Sequence, residues 1–532
     1  MNRRQFVLSV GMGAGLAHAS QTQGTQSPPE KKRKVIEVQP DGPVVSGPIS
    51  PMQIGTSAQL FIERSIVRDS ERVWFTLHPG VKHLRNPVIR ADRDWEGWRV
   101  KTYGNAIFDQ EEKVFKMWYR SEPPPGYFPA GGDYSYYAVS KDGLEWEKPL
   151  VGTIPSLKPG FRHNVVLECQ HANVFKDYAE PDPSRRYKAV LDAKPGEGEA
   201  VNPKHTFVSP DGLHWSRLSK KPVIDAVGDV TTAYHDEYRQ IWVLFVKRHV
   251  IVLGQQRRCV GLMASKDFVN WSPPRSMFLP DYRDDAGSLG RVQRVQALLD
   301  MPISPELLNT QYYGTGAYAA ESCVVAFPWI FTMSNGGETS SKGPIEIQLA
   351  ASRDLVNWER HFRTPCIQTG AASEWDSGLF YTQSQAFRHN DEVWLYYSAS
   401  NYTHGLDNQR GQDRTKQTAS IGLVKWKLDR FVSADAGVEG GVLTTEAFTH
   451  GGSHLELNAR VRPGGSIRAE FLDATGRPIK EAGLSGPCTG DNLRSRVAWS
   501  NNPGIVDRLK GKPVSLRFHL RSAGLYSFAF RS

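Results

Sequence analysis

Paired cysteines, long apolar runs and helical periodicity are scarce in this chain, and each scarcity removes a class of protein. Only five cysteines occur in 532 residues: Cys169, Cys259, Cys323, Cys366 and Cys488. None stands close enough to another to write C-x-x-C, which excludes a zinc site built from cysteine pairs and argues against a disulfide framework. Buried free thiols are expected. Beyond the N-terminus no stretch is apolar for long enough to span a bilayer. Helical periodicity is nearly absent; "SPELLNTQ" (Ser304 to Gln311) reads as a short helix in an insertion. No P-loop, dinucleotide fingerprint or G-x-S-x-G elbow occurs. His163, His171, His205 and His214 lack the spacing of a known metal site, so no metal ligands and no cofactor are assigned, with a structural Ca²⁺ left open.

Charge also excludes more than it assigns. Lys and Arg number 65 against 56 Asp and Glu, a formal charge of +9. The basic residues are spread along the chain and mixed with acids, which reads as a basic soluble protein and not as a nucleic-acid footprint. A polyanionic glycan is the other partner this balance suits. Aromatics reach 11%, with 14 Trp. That richness suits β-structure, and it suits sugar binding, because the apolar face of a sugar ring stacks on an aromatic plane.

The N-terminus reads as an address. "MNRRQFVLSVGMGAGLAHAS" carries Arg3-Arg4, an apolar run to Leu16 and the small-x-small pattern Ala17-His18-Ala19. This is the layout of a signal peptide over residues 1–19, and the arginine pair resembles a twin-arginine export signal. A periplasmic or extracellular location is expected, with no membrane insertion once the signal is removed. Residues 20–55 form a linker rich in Gln, Pro, Ser and Gly. Its "PPEKKRKV" resembles a nuclear localisation cluster but reads, behind an export signal, as a solvated charge run.

Four heptapeptides then recur: "SKDGLEW" (Ser140 to Trp146), "SPDGLHW" (Ser209 to Trp215), "SKDFVNW" (Ser265 to Trp271) and "SRDLVNW" (Ser352 to Trp358). Ser and Asp side chains accept hydrogen bonds from backbone N–H groups two or three residues on, which closes a tight turn. Asp142, Asp211, Asp267 and Asp354 are therefore expected to cap turns, and the following Trp to pack between sheets. Ahead of each heptapeptide lies a strand–turn–strand pair, as in "YGNAIFDQEEKVFKMWYR", with "SCVVAFPWIFTM" as a compressed version in the fourth unit. Asp109, Asp177 and Asp236 fall at the outer turns of these pairs and are read as structural. In a fifth unit, "ASIGLVKWKLDRFVS" occupies the heptapeptide's place in decayed form. Five units of about 55 to 90 residues, each of about four strands, predict a five-bladed β-propeller over residues 56–435. "SAQLFIERSIV" (Ser57 to Val67) is a candidate for the strand that completes the last blade or leads into the first. From residue 436 the repeat stops, and alternating strands with Gly/Pro/Asp turns predict a C-terminal β-sandwich to residue 532, making the whole chain all-β.

A five-bladed propeller followed by a β-sandwich resembles glycoside hydrolase family 32, whose propeller is shared with family 43. "NPVIRADRDWEG" (Asn86 to Gly97) and "SEWDSGLFYTQSQAF" (Ser373 to Phe387) look like the leads into the first and last blades of uncharacterised bacterial family 32-like proteins, which also share the "YSFAF" ending. The resemblance implies an exported glycosidase with three carboxylates at the axial end of the funnel, because the transition state is oxocarbenium-like and the leaving oxygen needs a proton. The sequence departs from the family's W-M-N-D-P-N-G, R-D-P and E-C motifs: blade one reads "RVKTYGNAIF", and "ESC" at Glu321 matches E-C only loosely.

Acids preceding the inner strands are the catalytic candidates: Asp376 and Asp229 first, then Glu96, then Glu321 as general acid. Each alone reads first as a loop acid or turn cap; together they bring acids from several blades to one axis. Trp95 and Trp375 adjoin candidate acids and are read as sugar-stacking, with core packing as the alternative. His171, Asn105, Asn173 and Tyr313 are the remaining substrate-binding candidates; the two Asn share a register, which suits a repeated structural role as well. Two rival functions stand beside glycoside hydrolysis. One is a non-catalytic carbohydrate-binding protein. The other is a sialidase-like enzyme, since the heptapeptide resembles an Asp-box, although its Asp-to-Trp step is a residue short and Gly-x-Thr is missing.

Overall fold

The four Ser-x-Asp heptapeptides fold alike. In each, the serine hydroxyl donates to the aspartate at 3.0 Å. The aspartate then accepts the backbone N–H groups two and three residues on, at 2.7–2.9 Å. The residue after the aspartate is left-handed in all four: Gly143, Gly212, Phe268 and Leu355. Glycine adopts that conformation freely. At Phe268 the strain is offset by burial of the ring against Trp242, 4.9 Å away. The turn tryptophans reach a neighbouring sheet, as expected: Trp146 meets Tyr396 edge-on at 5.6 Å and Trp358 meets Phe278 at 5.3 Å.

The computed structural model describes residues 51–129, 132–192, 203–224, 228–295, 305–334, 342–405 and 416–532. The signal sequence, the charge run and nearly all of the linker lie outside the described residues. The chain is almost all-β. A first sheet holds Val100–Lys101, Ala106–Asp109, Val114–Ser121, Tyr134–Ser140 and Val165–Leu167. A second holds Asn173–Lys176, Tyr187–Asp192, Lys204–Ser209 and Ser216–Arg217, and a third Thr231–Asp236, Ile241–Val252, Gln255–Ser265 and Arg275–Phe278. A nine-stranded sheet holds a fourth group, which begins Asn309–Ala319, Val324–Met333, and a fifth of Leu379–Thr382, Phe387–His389, Glu392–Ser400 and Ala419–Lys427, joined where Ile345 pairs parallel with Leu379. Within each group consecutive main strands pair antiparallel.

The inner strands of the five groups hydrogen-bond in a cycle. Asn105 donates to Val174 O at 3.1 Å, and Asn173 to Thr231 O at 3.1 Å. Thr232 donates to Thr315 O, and Ala317 N–H to Ser384 O at 2.9 Å. Ser384 N–H then donates to Gly104 O at 3.2 Å, returning to the first sheet. Glycine is required where these strands crowd: a Cβ on Gly104 would sit 2.3 Å from Ala172 O. The apolar cores follow the same cycle. Trp118 packs with Tyr187 between the first and second sheets, Phe175 with Trp242 between the second and third, and Phe115 with Trp394 between the first and fifth. Asn309–Ala319 and Val324–Met333 are buried along their whole length, on both faces.

Two strand assignments differ from expectation. Ser57–Val67 neither completes the last sheet nor leads into the first: Gln59–Leu60 pairs with Ser515–Arg531. The strand that completes the fifth sheet is Val81–Lys82, against Val424 and Lys425. In the fourth group the inner strand is Asn309–Ala319, so "SCVVAFPWIFTM" supplies only the second strand. The segment before it holds a 3₁₀ turn, Pro305–Leu307, and two short helices, Tyr282–Ala286 and Ser288–Arg294.

The C-terminal strands form a further sheet around His454–Leu472 and Ser515–Arg531, which pair along most of their length. Val67–Glu71 and Trp74–Leu77 join its edges. Its core includes Phe61, Phe471, Phe518 and Phe530, all with no exposed surface. All five cysteines are buried and free. Among the described residues no helix is long and apolar enough to cross a membrane.

Candidate functional site

Each inner strand brings one side chain to the same end of the cycle. Counting two residues back from Asn105, Asn173, Thr231, Thr315 and Gln383 gives Tyr103, His171, Asp229, Tyr313 and Tyr381. All five line one cavity of about 170 Å³, joined by Arg99, Lys101, Arg120 and Glu122 from the first sheet and by Tyr402 and His404. The register explains the convergence. Side chains alternate along a strand, so residues at equivalent positions of five strands in a cycle face one axis.

Three tyrosines make one wall: the Tyr103 and Tyr381 rings lie 5.0 Å apart, and Tyr313 and Tyr381 5.7 Å apart. Burial pushes the Tyr103 and Tyr313 phenols well above their ordinary range, so both stay protonated. His404 Nε2 lies 3.0 Å from the Tyr313 hydroxyl.

Among the described residues two carboxylates, Asp229 and Glu122, face the cavity, and both are ion-paired. The Asp229 side chain is 48% exposed and pairs with Lys247, whose ammonium also stands 4.1 Å above the Tyr313 ring. Burial opposes ionisation of Asp229, but the charge and hydrogen bond of Lys247 outweigh it and hold the carboxyl well below the usual range. Glu122 receives a forked pair from Arg99, with Nη2 at 2.6 and 2.7 Å and Nε at 3.0 Å. There too burial is outweighed, by Arg99 and then Arg120, and the carboxyl lies below its ordinary value. Arg120 also donates to Asp133 at 2.5 Å. His171 is 1% exposed; its Nδ1 lies 3.1 Å from Asp192 Oδ2, and its Nε2 has no hydrogen-bond partner among the described residues. Asp192 in turn pairs with Lys204. Among the described residues no cluster of three or more His, Cys, Asp or Glu side chains could hold a metal ion.

Of the residues singled out from sequence, His171, Asp229 and Tyr313 are brought together here. The others are not. Glu96 is fully buried and receives Lys148 Nζ at 2.7 Å, the Tyr119 hydroxyl, and the Asp92 and Arg93 N–H groups. It ties the loop before the first sheet to the strand Val114–Ser121. Asp376, 2% exposed, holds Lys82 at 2.5 Å and the Tyr397 hydroxyl at 3.0 Å, clasping the strand that completes the fifth sheet. Glu321 lies in the turn after Asn309–Ala319, at the opposite end of the inner strand from the cavity. It accepts Ala58 N–H at 2.7 Å and both Arg531 nitrogens at 2.9 and 3.0 Å, tying the last strand of the chain to the fourth sheet. Trp95 donates to Asn164 at 2.9 Å and packs edge-on to Phe161, while Trp375 stacks on Tyr397 at 5.7 Å. Asn105 and Asn173 are buried and spend their amides on the inner-strand cycle, so their shared register is structural. Asp109, Asp177 and Asp236 cap outer turns and pair with Lys116, Lys188 and Arg239.

Tyr103 and Tyr381 escaped the sequence reading although the signal was present: each stands two residues ahead of a polar inner-strand residue, as His171 does. Arg99, Arg120 and Glu122 carry no such local mark.

Three solved structures show a distant similarity to this chain. A glycosyl hydrolase from Bacteroides ovatus is 12% identical, over 68% of this chain and 97% of its own, with a TM-score of 0.42. An N-acetylgalactosamine deacetylase from F. plautii is 15% identical over 67% and 96%, with a TM-score of 0.39. A β-1,2-mannobiose phosphorylase from Listeria innocua is 10% identical over 66% and 97%, with a TM-score of 0.38. The likeness assigns the chain to no family. No family model matches the chain, and no curated protein matches it.

Proposed function

We propose that this protein is an exported glycoside hydrolase: a five-bladed β-propeller within residues 56–435, its last blade completed by Val81–Lys82, followed by a C-terminal β-sandwich over 436–532. The observation that carries this reading is the convergence of one residue from each inner strand on a cavity that also holds two ionised carboxylates. Tyrosine faces suit a sugar ring. Asp229, half exposed to the cavity, takes the part of nucleophile or base, and Glu122 that of the anion opposite a developing oxocarbenium charge. Neither carries a proton, so the proton for the leaving oxygen comes from another group or from solvent. The test is hydrolysis of a panel of plant, algal and microbial glycans. Turnover should fall about 10²- to 10⁴-fold in Asp229→Asn; undiminished turnover would remove Asp229 from the mechanism.

The ion pairing of both carboxylates favours a second reading, a carbohydrate-binding protein without hydrolysis. Sugar binding by wild type with no turnover on the panel would select it. The paired Arg3-Arg4 and Ala17-His18-Ala19 support export.

A further inference from the structure

His171 has one nitrogen accounted for and one open. Asp192 is the carboxylate partner of Lys204, so it accepts a hydrogen bond and His171 Nδ1 carries the hydrogen. In a neutral imidazole that leaves Nε2 as a bare acceptor. Burial, together with Lys204, Arg120 and Lys247 nearby and with Asp229 opposing them, holds the imidazolium well below its ordinary range. Among the described residues Nε2 has no hydrogen-bond partner, although the side chain is 1% exposed. Almost every buried polar group in a folded protein is paired; this one, unpaired and shielded from solvent on a residue of the cavity lining, points to a partner that reaches it from the cavity. Tyr103 packs against the imidazole at 4.8 Å, and both residues line the cavity with Asp229. The ring is thus held on one side by an aromatic face and at Nδ1 by a carboxylate.

We propose that His171, oriented by Asp192, is a specificity-determining acceptor for one hydroxyl of the sugar taken into the axial cavity, an inference that rests on the glycan reading of that cavity. An ordered carboxylate behind the imidazole fixes which nitrogen is bare, much as outer partners fix a histidine that binds a metal. A site built to pair a hydroxyl rejects the analogue that lacks it far more strongly than an apolar pocket rejects a methylene, because the buried acceptor is left unpaired.

The test uses the full chain labelled with ¹⁵N-histidine, observed by NMR at neutral pH, with His171→Phe assigning the resonance. The probes are methyl glycosides of glucose, galactose, mannose, xylose and arabinose, and free glucuronic and galacturonic acids. Wild type should show Nδ1 protonated and Nε2 bare, and a bound sugar should shift Nε2. Affinity for that sugar should fall at least tenfold in His171→Phe and in Asp192→Asn. Wild type should also prefer the sugar to its monodeoxy analogue, while His171→Phe binds the two alike, a result that misfolding or loose packing would not give. A protonated Nε2 in the free protein, or an Nε2 unmoved by every probe, overturns the inference on wild type alone. Turnover on the glycan panel with an unmoved Nε2 sinks this inference and leaves hydrolysis standing. A shifted Nε2 without turnover supports it and sinks hydrolysis; neither shift nor turnover sinks both.

Discussion

Replacing Lys82 by Met should loosen the fifth sheet without touching the axial cavity. Lys82 Nζ lies 2.5 Å from Asp376 Oδ2, and the two side chains are 25% and 3% exposed. The Tyr397 hydroxyl donates to the same oxygen at 3.0 Å. Lys82→Met therefore leaves a buried carboxylate with a phenol as its remaining partner. Breaking a buried pair from one side costs about 3–5 kcal/mol, and the partial exposure of Lys82 places this one near the lower end, at about 2–4 kcal/mol. Asp376→Asn costs less, about 1–2 kcal/mol, because the amide still accepts from Tyr397 and Lys82 reaches solvent. The double variant should cost less than the sum, with a coupling of about 1–3 kcal/mol. Chemical denaturation followed by tryptophan fluorescence reads all three, since Trp375 stacks on Tyr397 beside the pair. Glycan turnover at low temperature should be near that of wild type in each variant. An Asp376→Asn protein of unchanged stability and abolished turnover would refute the reasoning, because the carboxylate would then be doing chemistry and not holding a strand.

Two further outcomes follow from charge and from the N-terminus. Burial, with Glu321 adding to it, raises the Asp429 carboxyl to about 7 from an ordinary 3.8. A raised acid contributes stability that is full below its unfolded value and is lost as pH rises, here between about pH 4 and 7. Asp429→Asn should therefore unfold later than wild type at pH 8, and the two should converge near pH 4; a constant difference across that range would count against the assignment. Changing Arg3 and Arg4 to Lys should leave the protein in the cytoplasm of a bacterial host, measured by cell fractionation, and unchanged export would remove the twin-arginine reading.

The Ser-x-Asp turns were legible in the sequence because their chemistry is local. A serine, an aspartate and the three residues that follow contain every donor and acceptor the turn uses. The same holds for the outer-turn acids Asp109, Asp177 and Asp236. The cavity was legible in part. His171, Asp229 and Tyr313 belong to it because each stands close ahead of, or within, its own inner strand. Glu96 and Asp376 lie seven and five residues ahead of the axial positions Tyr103 and Tyr381. That distance lets the chain fold back over the sheet, where Lys148 and Lys82 meet them. Glu321 was misplaced because the fourth unit was entered one strand late, which exchanged the two ends of its inner strand.

Local sequence, then, determined the Ser-x-Asp turns and the buried state of the thiols, since each rests on neighbours within a few residues or on composition. Tertiary structure decided which carboxylates face the axis and which cation each one meets. That choice depends on cations far away in sequence: Lys247 for Asp229, Arg99 for Glu122, Lys82 for Asp376 and Arg531 for Glu321. A carboxylate's role is set by the charge the fold brings to it, and no run of neighbouring residues encodes that meeting.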